Sequence, residues 1–417
     1  MERNGKASVA EPEKELRPDP RSVVLSVRLR ELTALFLKLG TISFGGPAAH
    51  VALIEREVVD KRRWVTKQQF LDMLGAANLI PGPTSTEMAI NVGFVRAGWA
   101  GLCVAGASFI LPAALITGAF AWAYVRFGAL PQAVSVLGGI KPAVIAVIAV
   151  AIWRLGKAAV RNAGLAVLSG LALAAFFLGL NPIVILFSGG FAGMLVRQAT
   201  ALRGTSSLSP LVFPWRRFAV RRAPWAAVLH PLAAVAALPV VVRPSLLRIG
   251  LFFLKVGAVL YGGGYVLLAF LEQGLVRQTA WLTRQQLLDA VAIGQFTPGP
   301  VLSTATFIGY ILGGAPGAAV ATVAIFLPSF FYVALLAPVL FRLRQSPWMA
   351  AFLDAVNVCA VSLMAGVTFR LASDALRGWP SRVIALAALA ALLRWKINPA
   401  WVVLAGGLGA LLLAALR

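Results

Sequence analysis

The chain repeats itself. Residues 38–86 recur without a gap at 255–303, an offset of 217, and the matches fall on residues with unusual backbone demands. Phe36, Leu37 and Lys38 recur as Phe253, Leu254 and Lys255, and Gly40, Gly45 and Gly46 recur as Gly257, Gly262 and Gly263. Glu55 answers Glu272, Trp64 answers Trp281, and Asp72 answers Asp289. The run Pro81-Gly82-Pro83 returns as Pro298-Gly299-Pro300. One deletion then moves the offset to 216, pairing Gly93 with Gly309, Gly98 with Gly314, Pro112 with Pro328 and Arg154 with Arg370. Near the far end Asn181-Pro182 matches Asn398-Pro399. Any fold for this chain has to be built from two half-length copies.

The copies are too apolar for water. Hydrophobic residues make up 59% of the chain and charged residues 13%, with mean hydropathy +0.84, where a soluble domain is about 45–50% apolar and about 25% charged. Apolar runs at 102–124, 143–153, 165–180 and 401–416 approach the length needed to cross about 30 Å of hydrocarbon. The class is an all-α polytopic membrane protein. The net charge of +23 does not point to nucleic acid, because the arginines stand in small groups between apolar runs, as topology-setting loops do. Cys103 and Cys359 lie inside apolar runs without metal-ligand spacing and read as buried packing residues. The pattern calls for no metal and no cofactor. Residues 1–30 are polar and mixed in charge, with no long apolar core before about residue 32. They read as a disordered cytoplasmic tail without a cleavable signal.

Breaks between apolar runs divide the first half, 31–200, into six segments: roughly 31–54, 70–95, 99–125, 131–153, 160–179 and 182–200. A basic loop follows, with Arg197, Arg203, Arg216, Arg217, Arg221 and Arg222 and no acid, and the positive-inside bias puts it in the cytoplasm. The apolar stretch 224–242, within the linking region 201–245, has no repeat partner. If it spans, the second half, 246–417, begins on the opposite face and the C-terminus is periplasmic. Loop charges agree in part. Arg96 follows the second segment while 313–317 is uncharged, and Arg394 and Lys396 answer the uncharged 179–182. Lys61 to Arg63 and the group Arg370, Arg377 and Arg382 disagree. Two six-span halves in inverted repeat with a linking span is the favoured arrangement; a parallel repeat is the alternative.

Two segments in each half make poor transmembrane helices. One holds Lys38, Gly45-Gly46-Pro47 and His50, and its copy holds Lys255 and Gly262-Gly263-Gly264. The other holds Asn78, Pro81-Gly82-Pro83 and Glu87, and its copy holds Gln295 and Pro298-Gly299-Pro300. Proline removes a donor and glycine permits positive φ, so these motifs unwind the backbone. Unwound backbone at membrane depth belongs in protein or against a watery cavity, and paired Gly/Pro interruptions in two halves point to a transport site. After each PGP a half-helix should start, with Pro83 in its first turn and Thr84 to Glu87 spelling a capping box. Ser85 and Thr86 add hydroxyls, and Ser303 and Thr304 stand in the second copy. Helix N-termini offer free N–H groups and partial positive charge to an anion. Lys38 and Lys255 fit a symmetric cation pair or snorkelling helix ends. Lys141, repeat partner of Asn357, has the same two readings. Glu87, without an acidic counterpart, is a candidate proton carrier or a capping residue. His50 is a titratable candidate or a packing residue.

F-G-G-P-x-x-H at 44–50, P-G-P-T-S-T-E-M-A-I at 81–90 and G-Q-F-T-P-G-P at 294–300 resemble the chromate ion transporter family, and the length and two-half organisation are similar to its long members. The resemblance implies a bacterial inner-membrane protein that exports chromate, also recognises sulfate, and confers chromate resistance. Gly264 stands where the first copy has Pro47, and the second copy lacks the T-S-T-E run. The physics fits export: a charge moved through 100 mV is worth about 2.3 kcal/mol, so a dianion leaving an inside-negative cell gains roughly 4.6. At about 1.4 kcal/mol per decade that sustains a gradient of order a thousandfold. Proton-coupled sulfate uptake and an anion channel are the alternatives. No Walker motif or nucleophile–base arrangement suggests an enzyme. A homodimer is open, with no motif behind it.

Overall fold

The computed structural model describes residues 20–44, 46–77, 80–128, 130–204, 244–261, 266–336, 347–395 and 397–415. Gly45, Asn78, Gly262, Gly263, Gly264 and Lys396, the tail 1–19 and most of the linking region with its unmatched stretch lie outside the described residues.

The described residues form helices and turns only. In the first half these are α1 (Pro20–Ile42), α2 (Pro47–Glu55) running into a π turn (Arg56–Lys61), and α3 (Lys67–Ala77). They are followed by α4 (Thr84–Phe127), α5 (Pro131–Ala159), α6 (Ala163–Phe177) and α7 (Pro182–Gly204). The second half repeats the order: α8 (Leu246–Val259), α9 (Leu267–Leu271) with a π turn (Glu272–Gln278), and α10 (Arg284–Phe296). Then come a 3-10 turn (Val301–Ser303), α11 (Thr304–Leu336), α12 (Pro347–Ala375), α13 (Trp379–Arg394) and α14 (Pro399–Ala415). Even the irregularities repeat. Arg63 and Ala280 both have φ 51°, and the non-helical pair Ala97 and Gly98 (φ −145° and 60°) returns as Gly313 and Gly314 (φ −145° and 63°).

Those pairs fold α4 and α11 back on themselves. A straight helix would separate residues eight apart by about 12 Å, yet Gly93 and Gly101 touch so closely that a Cβ on either would overlap the other's carbonyl oxygen. Gly309 and Gly317 do the same. Each element is therefore a tight hairpin, with arms 84–96 and 99–127 in the first half. The break falls between the second and third apolar segments, 70–95 and 99–125.

The first two segments of the half depart from the six-span expectation. Arg96, at the hairpin tip, donates to Glu31 of α1 at 2.7 Å and stacks on Trp64 at 4.9 Å. The middle of α1, the turn before α3 and the tip at Arg96 thus meet, so α3 goes in and 84–96 returns. The arms α3 and 84–96, of 11 and 13 residues, are about 16 and 20 Å long, half to two thirds of a bilayer. The apolar run at 70–95 holds two such arms, α3 and 84–96, joined by the Pro81-Gly82-Pro83 break. Four described helices have the length and apolarity of a membrane span: 84–127, 133–159, 301–335 and 348–375.

The halves interlock reciprocally. α4 packs on α11 and α5 on α12, while α5 also packs on α13 and α14, and its partner α12 packs on α6 and α7. Exchanged contacts of this kind are the mark of a two-fold relation. Small residues set the spacing: Gly139 of α5 meets the backbone of Gly406 on α14, and Gly190 of α7 takes the ring of Phe352 from α12. The outer face is apolar, with Trp99, Leu111 and Leu115 exposed at helical spacing on α4. Cys103 lies on that exposed stripe, against the expectation of burial, while Cys359 is buried. In lipid an apolar residue gains nothing by turning inward, so apolar runs do not report burial.

The hairpin makes a prediction. Gly98 has a φ,ψ pair open essentially to glycine, so Gly98→Ala should destabilise by about 1–3 kcal/mol. Gly93→Leu has no space at all and should abolish the folded species. Thermal unfolding followed by size-exclusion in detergent checks both.

Candidate functional site

Each PGP tripeptide is buried and binds the other half. Gly82 N–H donates to the Leu260 carbonyl at 2.8 Å, and Gly299 N–H donates to the Ser43 carbonyl at 2.8 Å. Residues 82 and 299, and 43 and 260, are repeat partners, so these are one bond made twice. Leu260 and Ser43 stand where α8 and α1 end and the glycine breaks begin. Unwound backbone of each half is thereby satisfied by unwound backbone of the other. Gly82 (φ 149°) and Gly299 (φ 91°) hold conformations that favour glycine. A Cβ on Gly299 would lie 2.7 Å from Ala113 Cβ and 3.0 Å from the Gly40 carbonyl oxygen.

α4 begins at Thr84, one residue earlier than a capping box from Thr84 to Glu87 requires. Pro83 is the N-cap, in extended geometry, and no side-chain cap bond forms. The capping box is therefore absent, and Glu87 is left without that role. Its side chain is 0% exposed, and neither carboxylate oxygen has a hydrogen-bond partner among the described residues. Thr86 Oγ1, Ser43 Oγ and Ser329 Oγ are likewise buried and unpartnered among the described residues. Gly82 gathers two members of this group, since a Cβ there would overlap Glu87 Oε1 and crowd Ser329 Oγ. His50, also buried, places Nδ1 3.4 Å from Ser85 Oγ and stands edge-on to Phe109. Thr84, Ser85 and Thr86 thus open a half-helix whose first turn faces other polar groups.

The second junction is drier. Ala113 stands at the repeat position of Ser329. Ser303 accepts from Thr117 at 3.2 Å, and Thr304 bonds back to the Val301 carbonyl at 2.8 Å. Gln295 and Thr304 share a cavity of about 20 Å³ with apolar neighbours, enough for one water. Gly46, preceding α2, has φ 83°, and Pro47 opens that helix. Lys38 and Lys255 are exposed on their helices.

A charge cluster that sequence reasoning did not assemble lies between the halves. Lys141 Nζ of α5 meets Asp289 Oδ1 of α10 at 2.9 Å, and Tyr124 Oη of α4 donates to Asp289 Oδ2 at 2.9 Å. Lys141 is 7% exposed and Asp289 2%, so Lys141 does not snorkel. The signal was a one-sided repeat: Asn357 and Leu340 stand at the repeat positions of Lys141 and Tyr124. A second buried pair joins Glu272 to Arg370, at 3.8 Å, with Arg370 stacked on Phe176.

These features define an integral membrane protein with discontinuous helices whose broken ends meet between two repeated halves. Residues 30–194 and 247–411 each match the chromate transporter family, and the chain belongs to that family. It is 34% identical over 372 residues to the chromate transport protein of Cupriavidus metallidurans, covering 88% of each chain. It is 32% identical over 388 residues to the chromate transport protein of Pseudomonas aeruginosa, covering 91% of each. An uncharacterised transporter of Bacillus subtilis is 32% identical over 136 residues, covering 32% of this chain and 68% of that one. No solved structure matches the chain.

Breaking a buried ion pair by removing one partner costs about 3–5 kcal/mol. Lys141→Met and Asp289→Leu should each lower thermal stability accordingly. Lys141→Met/Asp289→Leu should be less destabilising than the sum, which a double-mutant cycle by thermal unfolding measures.

Proposed function

We propose that the chain exports chromate across a bacterial inner membrane by alternating access, with the crossed PGP junction as its substrate site. The single observation carrying this reading is the reciprocal pair of bonds from Gly82 to Leu260 and from Gly299 to Ser43. That pair brings two half-helix starts and two backbone breaks into one buried region. Free N–H groups at the start of α4, with the hydroxyls of Ser85, Thr86 and Ser303, supply donors to a tetrahedral dianion without a metal. Relatives named for chromate transport support the substrate. Sulfate, of the same charge and shape, is expected to compete.

An inverted arrangement of halves 31–200 and 246–417 is supported by contacts along α4. Thr117 meets Ser303, Gly118 approaches Thr306, and Tyr124 stacks on Phe307. Moving along α4 away from Gly98 therefore moves along α11 toward Gly314, which sets the two hairpin tips at opposite faces. With the basic loop after α7 in the cytoplasm, the N-terminus is cytoplasmic and the second tip periplasmic.

Glu87 is the candidate coupling group. Among the described residues no cation or donor meets its carboxylate, and a buried carboxylate in that position costs several kcal/mol. Arrival of donors or departure of a dianion changes that balance. Membrane potential drives the anion outward, and the proton on Glu87 adjusts the charge carried per cycle.

In energised everted vesicles the wild type should accumulate chromate saturably, with sulfate competing. Gly82→Ala and Thr86→Val should reduce the rate at least tenfold, about 1.4 kcal/mol of barrier. Glu87→Gln should remove the pH dependence of the rate. Absence of saturable accumulation excludes a carrier, conductance without saturation favours a channel, and a requirement for an inward proton gradient in right-side-out vesicles favours uptake.

A further inference from the structure

We propose a second oxyanion site away from the PGP junction, between Lys255 of α8 and the π turn Glu272–Gln278, with Asn181 of the other half as its third wall. It rests on the reading of the chain as an oxyanion carrier. A cavity of about 70 Å³ lies there, lined by Lys255, Gln273, Gln278, Asn181, Thr279 and Phe252 among others. A single water needs about 10–15 Å³ of such space, so the cavity has room for a small hydrated ion.

The π turn builds one face of it. Its i→i+5 bonding widens the turn, and Gln273 and Gln278 from its two ends both line the cavity. Asn181 uses Oδ1 to accept from Ile183 N at 2.9 Å, which leaves its amide nitrogen as a donor. Thr279 gives its hydroxyl proton to the Gly274 carbonyl at 2.9 Å and is no donor here. One lysine and three amide side chains therefore border this cavity beside apolar residues such as Ile183 and Val259, and its lining contains no carboxylate among the described residues. A cation is repelled by Lys255, and a neutral solute would leave its charge unpaired. The ring of Phe252 lowers the local dielectric and strengthens the attraction for an anion.

Comparison with the first copy sharpens the assignment. There the π turn carries Arg56 and Lys61 beside Lys38, but Glu57 binds Lys61 at 2.7 Å and also Arg62. Gly274 occupies the repeat position of Glu57, so no acid competes in the second copy. Glu272, the nearest carboxylate in the turn, is fully buried and faces Arg370 instead. In an inverted molecule this pocket opens toward the periplasmic side, where an exported anion leaves.

The test is local and needs no transport. Full-length Gln278→Cys protein in lipid nanodiscs, with both faces open, is labelled with a charged maleimide, the unsubstituted chain with Cys103 and Cys359 serving as blank. Sulfate is the probe, against chloride at equal ionic strength. At about four times its Kd, sulfate should slow labelling about fivefold, the factor 1 + [L]/Kd. Adding Lys255→Gln should abolish protection, and Lys255→Arg should retain it. No labelling of the introduced thiol, equal rates in sulfate and chloride, or protection that survives Lys255→Gln would each overturn the site. Loss of chromate accumulation in vesicles with protection intact would instead overturn the carrier reading alone.

Discussion

Backbone amides cannot go unbonded in hydrocarbon, where each loses several kcal/mol of hydration. A membrane protein that unwinds its helices must find partners for the freed groups within itself. Here the partner of each break is the corresponding break in the other copy, Gly82 to Leu260 and Gly299 to Ser43. Neither half satisfies its own PGP in this way. The two-fold relation, the burial of the tripeptides and the meeting of the half-helix starts all depend on that exchange.

Symmetry builds the scaffold, and departures from it hold the chemistry. Both hairpin tips, both π turns and both glycine contacts are duplicated almost angle for angle. The polar groups are not. Glu87, Thr86 and Ser329 surround the first PGP, whereas Ala113 and internally bonded hydroxyls surround the second. Lys141, Asp289 and Tyr124 form a buried cluster that occurs once among the described residues. It ties α4 and α5 of one half to α10 of the other, in the interior that any rocking motion would have to reorganise.

Much of this was legible in the residues. The repeat, the PGP and glycine breaks, the break between segments 70–95 and 99–125 and the family resemblance all depend on local backbone demands that a linear sequence displays. The capping box was misread, because Thr84 to Glu87 has the right letters while Pro83, not Thr84, ends up as the cap. The span count is hard to read from the sequence for a related reason. Two half-depth arms joined by a break have the same hydropathy as one crossing, so only the contact of Arg96 with Glu31 and Trp64 separates them.

By itself the sequence determined that the chain lives in a membrane, that it is two copies, and where each copy must unwind. Those follow from apolar content and from glycine and proline, whose effects act at their own positions. Only the tertiary structure decided which broken backbone meets which, that Lys141 pairs with Asp289, and that Glu87 stands without a partner among the described residues. Every one of those pairings joins residues in different halves, as Tyr124 and Asp289 do across 165 positions. Burial and partnership are properties of neighbours in space, and no local pattern encodes them.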